Sequence, residues 1–295
     1  MYEVTEPNNR FQEVQGQLCD LIRMVARNSF HALCVVSEGG YGKSFCVEKT
    51  LETEGQDYVI FNSHSTPLQF YRILYENSQN EKVLVFDDCE QILRQEASQG
   101  LLRSALFGNP NRLVTYNSSQ LPKDLPERFE TTSRFIILAN TMPTGPVMSA
   151  ILTRCLFLRM ELSNEDILSQ FRLMIQTGYP ECSPEQAEEI VDFIEENSLG
   201  KRLSMRMLSP AIRIYTHCVR NGKDWRNLLL TQMQTYTRPA GAMKRIASAT
   251  RDERIVRDAL RKYPESASDA CRYYMEKSSK SRASFYRSLK RVKGE

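Results

Sequence analysis

Residues 37 to 44 read S-E-G-G-Y-G-K-S. Gly39, Gly40 and Gly42 let backbone N–H groups converge on anionic oxygens, a lysine at Lys43 reaches β- and γ-phosphate oxygens, and the Ser44 hydroxyl suits Mg²⁺. The octapeptide follows G-x-x-x-x-G-K-[ST] everywhere except its first position, where Ser37 stands for Gly, a change expected to do little. With Tyr41 inside the loop and Phe45 behind it, residues 39–45 are the candidate ATP-binding stretch. Some forty residues on, "KVLVFDDCE" ends an apolar run in two carboxylates. Asp87 is placed to complete a Mg²⁺ shell with Ser44, and Asp88 to orient a water molecule.

These residues need a scaffold that brings them to one edge. Five short apolar runs, "HALCVV" (31–36), "YVIFN" (58–62), "KVLVFDD" (82–88), "RFIILAN" (134–140) and "CLFLRM" (155–160), are apolar on both parities. Strands buried on two faces look like this, and the amphipathic stretches between them supply the crossovers of a parallel sheet. The class is α/β, and in a parallel sheet the strand ends carrying Lys43 and Asp87 share the carboxyl edge, where ligands bind. From Glu161 on the strand signal stops. "SNEDILSQFRLMIQTG" and "SPEQAEEIVDFIEENSLG" open on Ser with acidic residues behind it and close near Gly, which predicts helices. The expected organisation is a core over 1–160, a helical lid over 161–237, and a linker with Pro239 and Gly241 leading into a small all-α domain over 238–295.

Composition narrows the classes. The 295 residues are 41% apolar and 25% charged, globular values for two or three compact domains. The start carries no basic-then-apolar leader and no run of eighteen apolar residues occurs, so a cytoplasmic protein without a membrane partner is expected. Eight cysteines stand singly with no CxxC spacing, which fits reduced core thiols better than disulfides or zinc. The net charge of +3 is uneven: residues 238–295 hold sixteen Lys and Arg against seven Asp and Glu, a +9 tail on a −6 body. Such a tail suits a polyanion.

In this order the motifs resemble those of the AAA+ ATPases over residues 10 to about 237, which implies a three-layer P-loop core followed by a helical lid. The resemblance makes Asn140, at the end of "RFIILAN", a polar sensor of the γ-phosphate or attacking water. It makes Arg154 in "SAILTRCLFL" an arginine finger acting on a neighbour's ATP, and so implies a homo-oligomeric ring or spiral. It makes Arg206 in "KRLSMRML" the lid's sensor arginine, with Arg202 the alternative. The family has Glu where Asp88 stands, one methylene longer; either the backbone compensates, Glu90 helps as a second carboxylate, or hydrolysis is slow. The insertion over 109–133 reads as hairpin-like, first of all as a plain connecting segment; the resemblance also implies Arg112, Tyr116 and Lys123 as contacts to a nucleic-acid strand.

The tail "SASDACRYYMEKSSKSRASFYRSLKRVKGE" predicts two helices around a short break, opened by Ser266 or Ser268 and by Ser281. Phe285, Leu289 and Val292 make a buried stripe, leaving Arg282, Ser284, Arg287, Lys290 and Arg291 for DNA. This resembles a helix-turn-helix. The function expected is an AAA+ protein that binds and hydrolyses MgATP and acts on DNA, in the class of bacterial or phage replication initiators, helicase loaders and transposition ATPases. The alternatives are a protein-remodelling chaperone with a protein partner on the tail, and a slow nucleotide-gated DNA-binding regulator.

Overall fold

The structure, a computed structural model, describes residues 9–293 except 63–64, 80, 109–110, 119–120, 177–178, 180–181, 199, 237–254, 257–258, 261, 264–265 and 279–280; of residues 234–236, 283, 287 and 290–293 it describes the backbone alone. The expected linker around Pro239 and Gly241 lies outside the described residues.

All five apolar runs are strands of one parallel sheet. They are β1 (Ala32–Val36), β2 (Tyr58–Phe61), β3 (Val83–Asp87), β6 (Arg134–Ala139) and β7 (Leu156–Arg159), in the order β2-β3-β6-β1-β7. β1 and β6 are buried along their whole length. Parallel pairing requires a crossover between successive strands, which is why helices intervene. They are α1 (Arg10–Ala26), which leads into β1, and then α2 (Lys43–Thr53), α3 (Pro67–Glu76), α4 (Glu90–Arg94), α5 (Glu96–Ala105) and α6 (Pro146–Leu152). On one face Cys34, Leu84, Phe86, Phe135 and Ile137 form a core with Phe70, Tyr71 and Leu74 of α3 and Leu101 and Leu102 of α5. On the other, α1 packs on β1, β6 and α2. The expected insertion is an antiparallel hairpin, β4 (Arg112–Thr115) with β5 (Arg128–Thr131).

The chain forms two compact units. The first comprises Met1–Thr177 with Ser204–Arg206, so α7 (Asn164–Gln176) groups with the sheet, although the sequence suggested a boundary at 160. α7 opens as predicted, with the Ser163 hydroxyl accepting from the Asp166 N–H at 3.1 Å. The second unit comprises Gly178–Leu203 and Met207–Glu295. In it α8 (Pro184–Glu196) starts with a reciprocal Ser183–Gln186 capping box. α9 (Leu208–Arg220) and α10 (Trp225–Tyr236) follow, and the Trp225 ring meets Phe193 and Tyr215 edge-on at 5.0 and 5.2 Å. Farther on, α11 (Ala267–Ser278) and α12 (Arg282–Lys293) enclose a small core of Val256, Ala259, Ala270, Cys271, Tyr274 and Phe285. Ser266 caps α11, accepting from the Asp269 N–H. Among the described residues no helix is long and apolar enough to cross a membrane.

Two buried arginines stand at the amino edge of the sheet. Arg134, 6% exposed, donates to the carbonyls of Val25, Ala26 and Glu81 and to Gln56 Oε1, tying the end of α1 to the approaches of β2 and β3. It therefore satisfies helix-end carbonyls that have no partner within α1. Arg112 is fully buried; it donates to the Ser133 carbonyl, its guanidinium lies 5.7 Å over the Phe135 ring, and burial pushes its pKa down to about 10. This corrects the expectation that Arg112 grips a nucleic-acid strand, because the side chain has no path to solvent. Tyr116 is half-buried against Tyr71, and of the three residues only Lys123 is exposed. Arg134→Ala should lower stability by about 2 kcal/mol in urea unfolding, because it strands the Ala26 carbonyl and removes the side chain that ties it to Gln56 and Glu81, while Val25 and Glu81 keep donors in the Asn28 N–H and Gln56 Nε2. A loss under about 1 kcal/mol would show that α1 is held by packing alone.

Candidate functional site

The loop between β1 and α2 turns sharply because Gly40 (φ 89°) and Gly42 (φ 81°) take left-handed conformations. Gly42 then caps α2, so the helix N-terminus, with its free N–H groups and partial positive charge, opens at the carboxyl edge of the sheet. Gly39, Gly40, Tyr41, Gly42, Lys43, Ser44, Phe45, Asp87, Asp88, Asn140 and Arg206 all line one cleft of about 370 Å³, together with Met205. Every residue read from the sequence as a cis contributor to nucleotide binding is thus gathered at one place.

Lys43 is only 6% exposed, and its Nζ donates to the Ser37 carbonyl (2.8 Å), the Ser37 hydroxyl (2.9 Å), the Glu38 carbonyl (3.3 Å) and Asn140 Oδ1 (3.1 Å). Burial lowers its pKa, opposed by the charges of Asp87, Asp88 and Glu90. The Ser37 hydroxyl, which glycine would lack, is one of the lysine's acceptors. Ser44 Oγ donates to Asp87 Oδ2 at 2.5 Å, bringing a hydroxyl and a carboxylate together from α2 and β3. Oxygen donors of this kind fit Mg²⁺, a hard cation that takes few protein ligands beside phosphate and water. Among the described residues no group of three or more His, Cys, Asp or Glu could hold a metal.

Asp88 is exposed and has φ 52°, one of two non-glycine residues among those described with positive φ. Asp tolerates this region better than most residues, but a left-handed residue just after a strand is a strained position of the kind that collects at functional sites. The turn aims its carboxylate at Asn140, whose Nδ2 donates to Asp88 Oδ1 at 2.8 Å. Asn140 thus links Lys43 to Asp88, Oδ1 toward the cation and Nδ2 toward the anion. Glu90 does not join them in the cleft. Its Oε1 accepts from the backbone N–H groups of Asn140 (3.0 Å) and Thr141 (3.2 Å). No spacing rule in the sequence signals that bond.

Segment 204–206 joins the loop directly: the Met205 N–H donates to the Gly40 carbonyl at 3.1 Å, and Arg206 lines the cleft. Met205 escaped the sequence reading, since a backbone bond leaves no mark on residue type. Arg206 lines the cleft, and Arg202, the alternative, belongs to the second unit. Tyr41 is buried, its hydroxyl donating to the Leu162 carbonyl at 3.4 Å, whereas Phe45 is 72% exposed at the rim.

Arg154 is not in this cleft. It stands before β7 at the amino edge of the sheet, bonded to the Ala150 carbonyl, stacked 5.4 Å over the exposed Phe107 ring, and lining a separate hollow with Arg27, His31 and Arg134. In the tail, Arg282 is exposed and lies 5.8 Å over Tyr286, and Ser284 is half-buried beside Ser281. The side chains of Arg287, Lys290 and Arg291 lie outside the described residues. Phe285 is fully buried, as the stripe predicted.

No protein-family model matches the chain, and no curated protein matches it. Among solved structures it is similar to the Thermotoga maritima RuvB Holliday junction branch migration motor, at 13% identity and a TM-score of 0.45 over 92% of this chain and 82% of that one. One single-substitution form of that protein gives 14% and 0.45 over 92% and 82%, and a second gives 13% and 0.44 over 93% and 84%.

Gly40 supplies a direct test of the cleft's construction. A Cβ there would be strained at φ 89° and would collide with the Ser204 side chain. Gly40→Ala should cost about 1–2 kcal/mol in urea unfolding. Gly16→Ala, in exposed α1 with nothing within 4 Å, should instead be neutral or gain up to about 1 kcal/mol. Equal effects at both glycines would contradict the contact between the loop and segment 204–206.

Proposed function

We propose that this chain is a Mg²⁺-dependent ATPase that acts on DNA through its basic tail. The observation that carries the reading is the convergence, in one cleft at a helix N-terminus, of a buried lysine, a hydroxyl–carboxylate pair, and an amide bridging the lysine to a second carboxylate. Lys43 exchanges loop carbonyls for β- and γ-phosphate oxygens, and the N–H groups at the start of α2 bind the remaining phosphate charge. Ser44 and Asp87 would hold Mg²⁺, which when bound would supply positive charge to offset that of the phosphate oxygens. Asp88 accepts a proton from, or orients, the attacking water, and Asn140 fixes the water's position between Asp88 and the γ-phosphate. Arg206, on the cleft wall, meets the bound nucleotide as its sensor arginine.

Arg154 belongs at the opposite edge from its own chain's Lys43, so the charge it offers serves a neighbour's ATP in a homo-oligomer. The tail brings thirteen Lys and Arg against seven Asp and Glu over residues 246–295, a field that attracts the DNA backbone. Work on DNA of the replication, helicase-loading or transposition kind joins these two activities.

Lys43→Ala should abolish ATP binding in a direct titration, and Asp88→Asn should keep binding while turnover falls at least about 100-fold. Undiminished affinity in the first variant removes the site; persistent hydrolysis in the second removes Asp88 as base. A chain ending at residue 245 should still bind ATP and lose most of its DNA affinity. In the full chain Arg282→Ala should flatten the logarithmic salt dependence by about one unit. If the shortened chain binds DNA as tightly as the full one, the tail is not the DNA-binding element.

A further inference from the structure

Glu90 is the carboxylate that a sequence reader is tempted to make a second base, standing two residues after Asp88. Its surroundings give it another task. One oxygen, Oε1, accepts from two successive backbone N–H groups, those of Asn140 and Thr141, at 3.0 and 3.2 Å. The other, Oε2, faces Arg94 Nη2 at 3.4 Å, and the same Nη2 donates to Thr141 Oγ1 at 2.9 Å. Glu90 and Arg94 thus hold the chain just past β6 by two backbone donors and one hydroxyl, from one face of α4 at i and i+4.

The helix that carries them is itself anchored. Ile92 and Leu93 are buried at 2% and 1% exposure, and the Cys89 thiol at its start donates to the Phe61 carbonyl at 3.1 Å. A carboxylate accepting from N–H groups makes charge-assisted bonds about twice as strong as neutral ones. β6 ends at Ala139, and the N–H of Asn140 goes to Glu90 instead of to a neighbouring strand, while its side chain presents Oδ1 to Lys43 and Nδ2 to Asp88 at once. Glu90 itself does not line the cleft.

We propose that Glu90, braced by Arg94, is the positioning residue that fixes Asn140 between the lysine and Asp88, rather than a second base. The inference rests on the ATPase reading above. It makes the shorter Asp88 workable: with Asn140 held rigid, the Asp88 carboxylate is drawn to one place although its side chain lacks the methylene of Glu.

The test compares Glu90→Ala with Glu90→Gln in the full chain, measuring ATP affinity, kcat, and amide hydrogen exchange in the peptide covering 134–142. Glu90→Ala should lower kcat about 30-fold, as expected for a displaced catalytic group, and leave the ATP Kd within about 2-fold. Exchange at Asn140 and Thr141 should speed up in that variant. Glu90→Gln keeps an oxygen acceptor for both N–H groups, so it should restore kcat to within about 3-fold of the parent and restore slow exchange. A base cannot be replaced by an amide; if Glu90→Gln is as inactive as Glu90→Ala while exchange stays slow, the positioning role is overturned. Loss of ATP affinity together with kcat in Glu90→Ala would likewise overturn it in favour of a general structural role. A parent chain that binds ATP and never hydrolyses it removes the ATPase reading instead, and the exchange comparison then decides alone whether Glu90 holds Asn140.

Discussion

A buried ammonium group organises this molecule's carboxyl edge. Lys43 sits almost out of solvent with three N–H protons and four acceptors around it, two of them carbonyls of its own loop. A lysine is rarely buried unless partnered, because removing its charge from water is costly. Its partners meet that cost only in part, since its pKa remains lowered by burial despite three nearby carboxylates. In the proposed reading, phosphate oxygens would offer it stronger acceptors than carbonyls do, and the glycine conformations that bend the loop would also turn N–H groups toward such oxygens.

The sheet makes that arrangement possible. β1 lies between β6 and β7, and β3 lies beside β6, so the chain leaves β1, β3 and β6 at adjacent points on one edge. Lys43 and Ser44 follow the first, Asp87 and Asp88 the second, Asn140 the third. Parallel strands bring all three ends to the same side, and Arg134 at the other side ties α1 to the sheet. The site is thereby assembled from residues 97 positions apart, Lys43 to Asn140, by elements whose cores are built of short apolar runs.

Much of this was legible from residue order. The five strands, the glycine-rich loop ahead of α2, and the placing of the two carboxylates and the terminal Asn beside it were readable because apolar runs on both parities and glycine–lysine spacing are written in residue type. The hairpin was readable from its prolines and its polar run. What escaped depends on direction rather than type. Nothing in "FDDCE" says that Asp88 takes a left-handed backbone or that Glu90 turns from the cleft to hold Asn140. The bond between the Ser37 hydroxyl and a side chain six residues away is likewise not written in residue type. Arg112 looked available because alternation in β4 shows which residues share a face, not which face meets the core. The grouping of α7 with the sheet was invisible for a similar reason, since its cap and period mark a helix without naming its neighbour.

The most direct test of the central claim is amide hydrogen exchange on the full chain with and without Mg²⁺ and a non-hydrolysable ATP analogue. The claim predicts slowed exchange across residues 37–46 and at the ends of β3 and β6, with the amino-edge hollow around Arg27, His31 and Arg134 unchanged in dilute protein. Protection absent from 37–46, or confined to the amino edge, would contradict it.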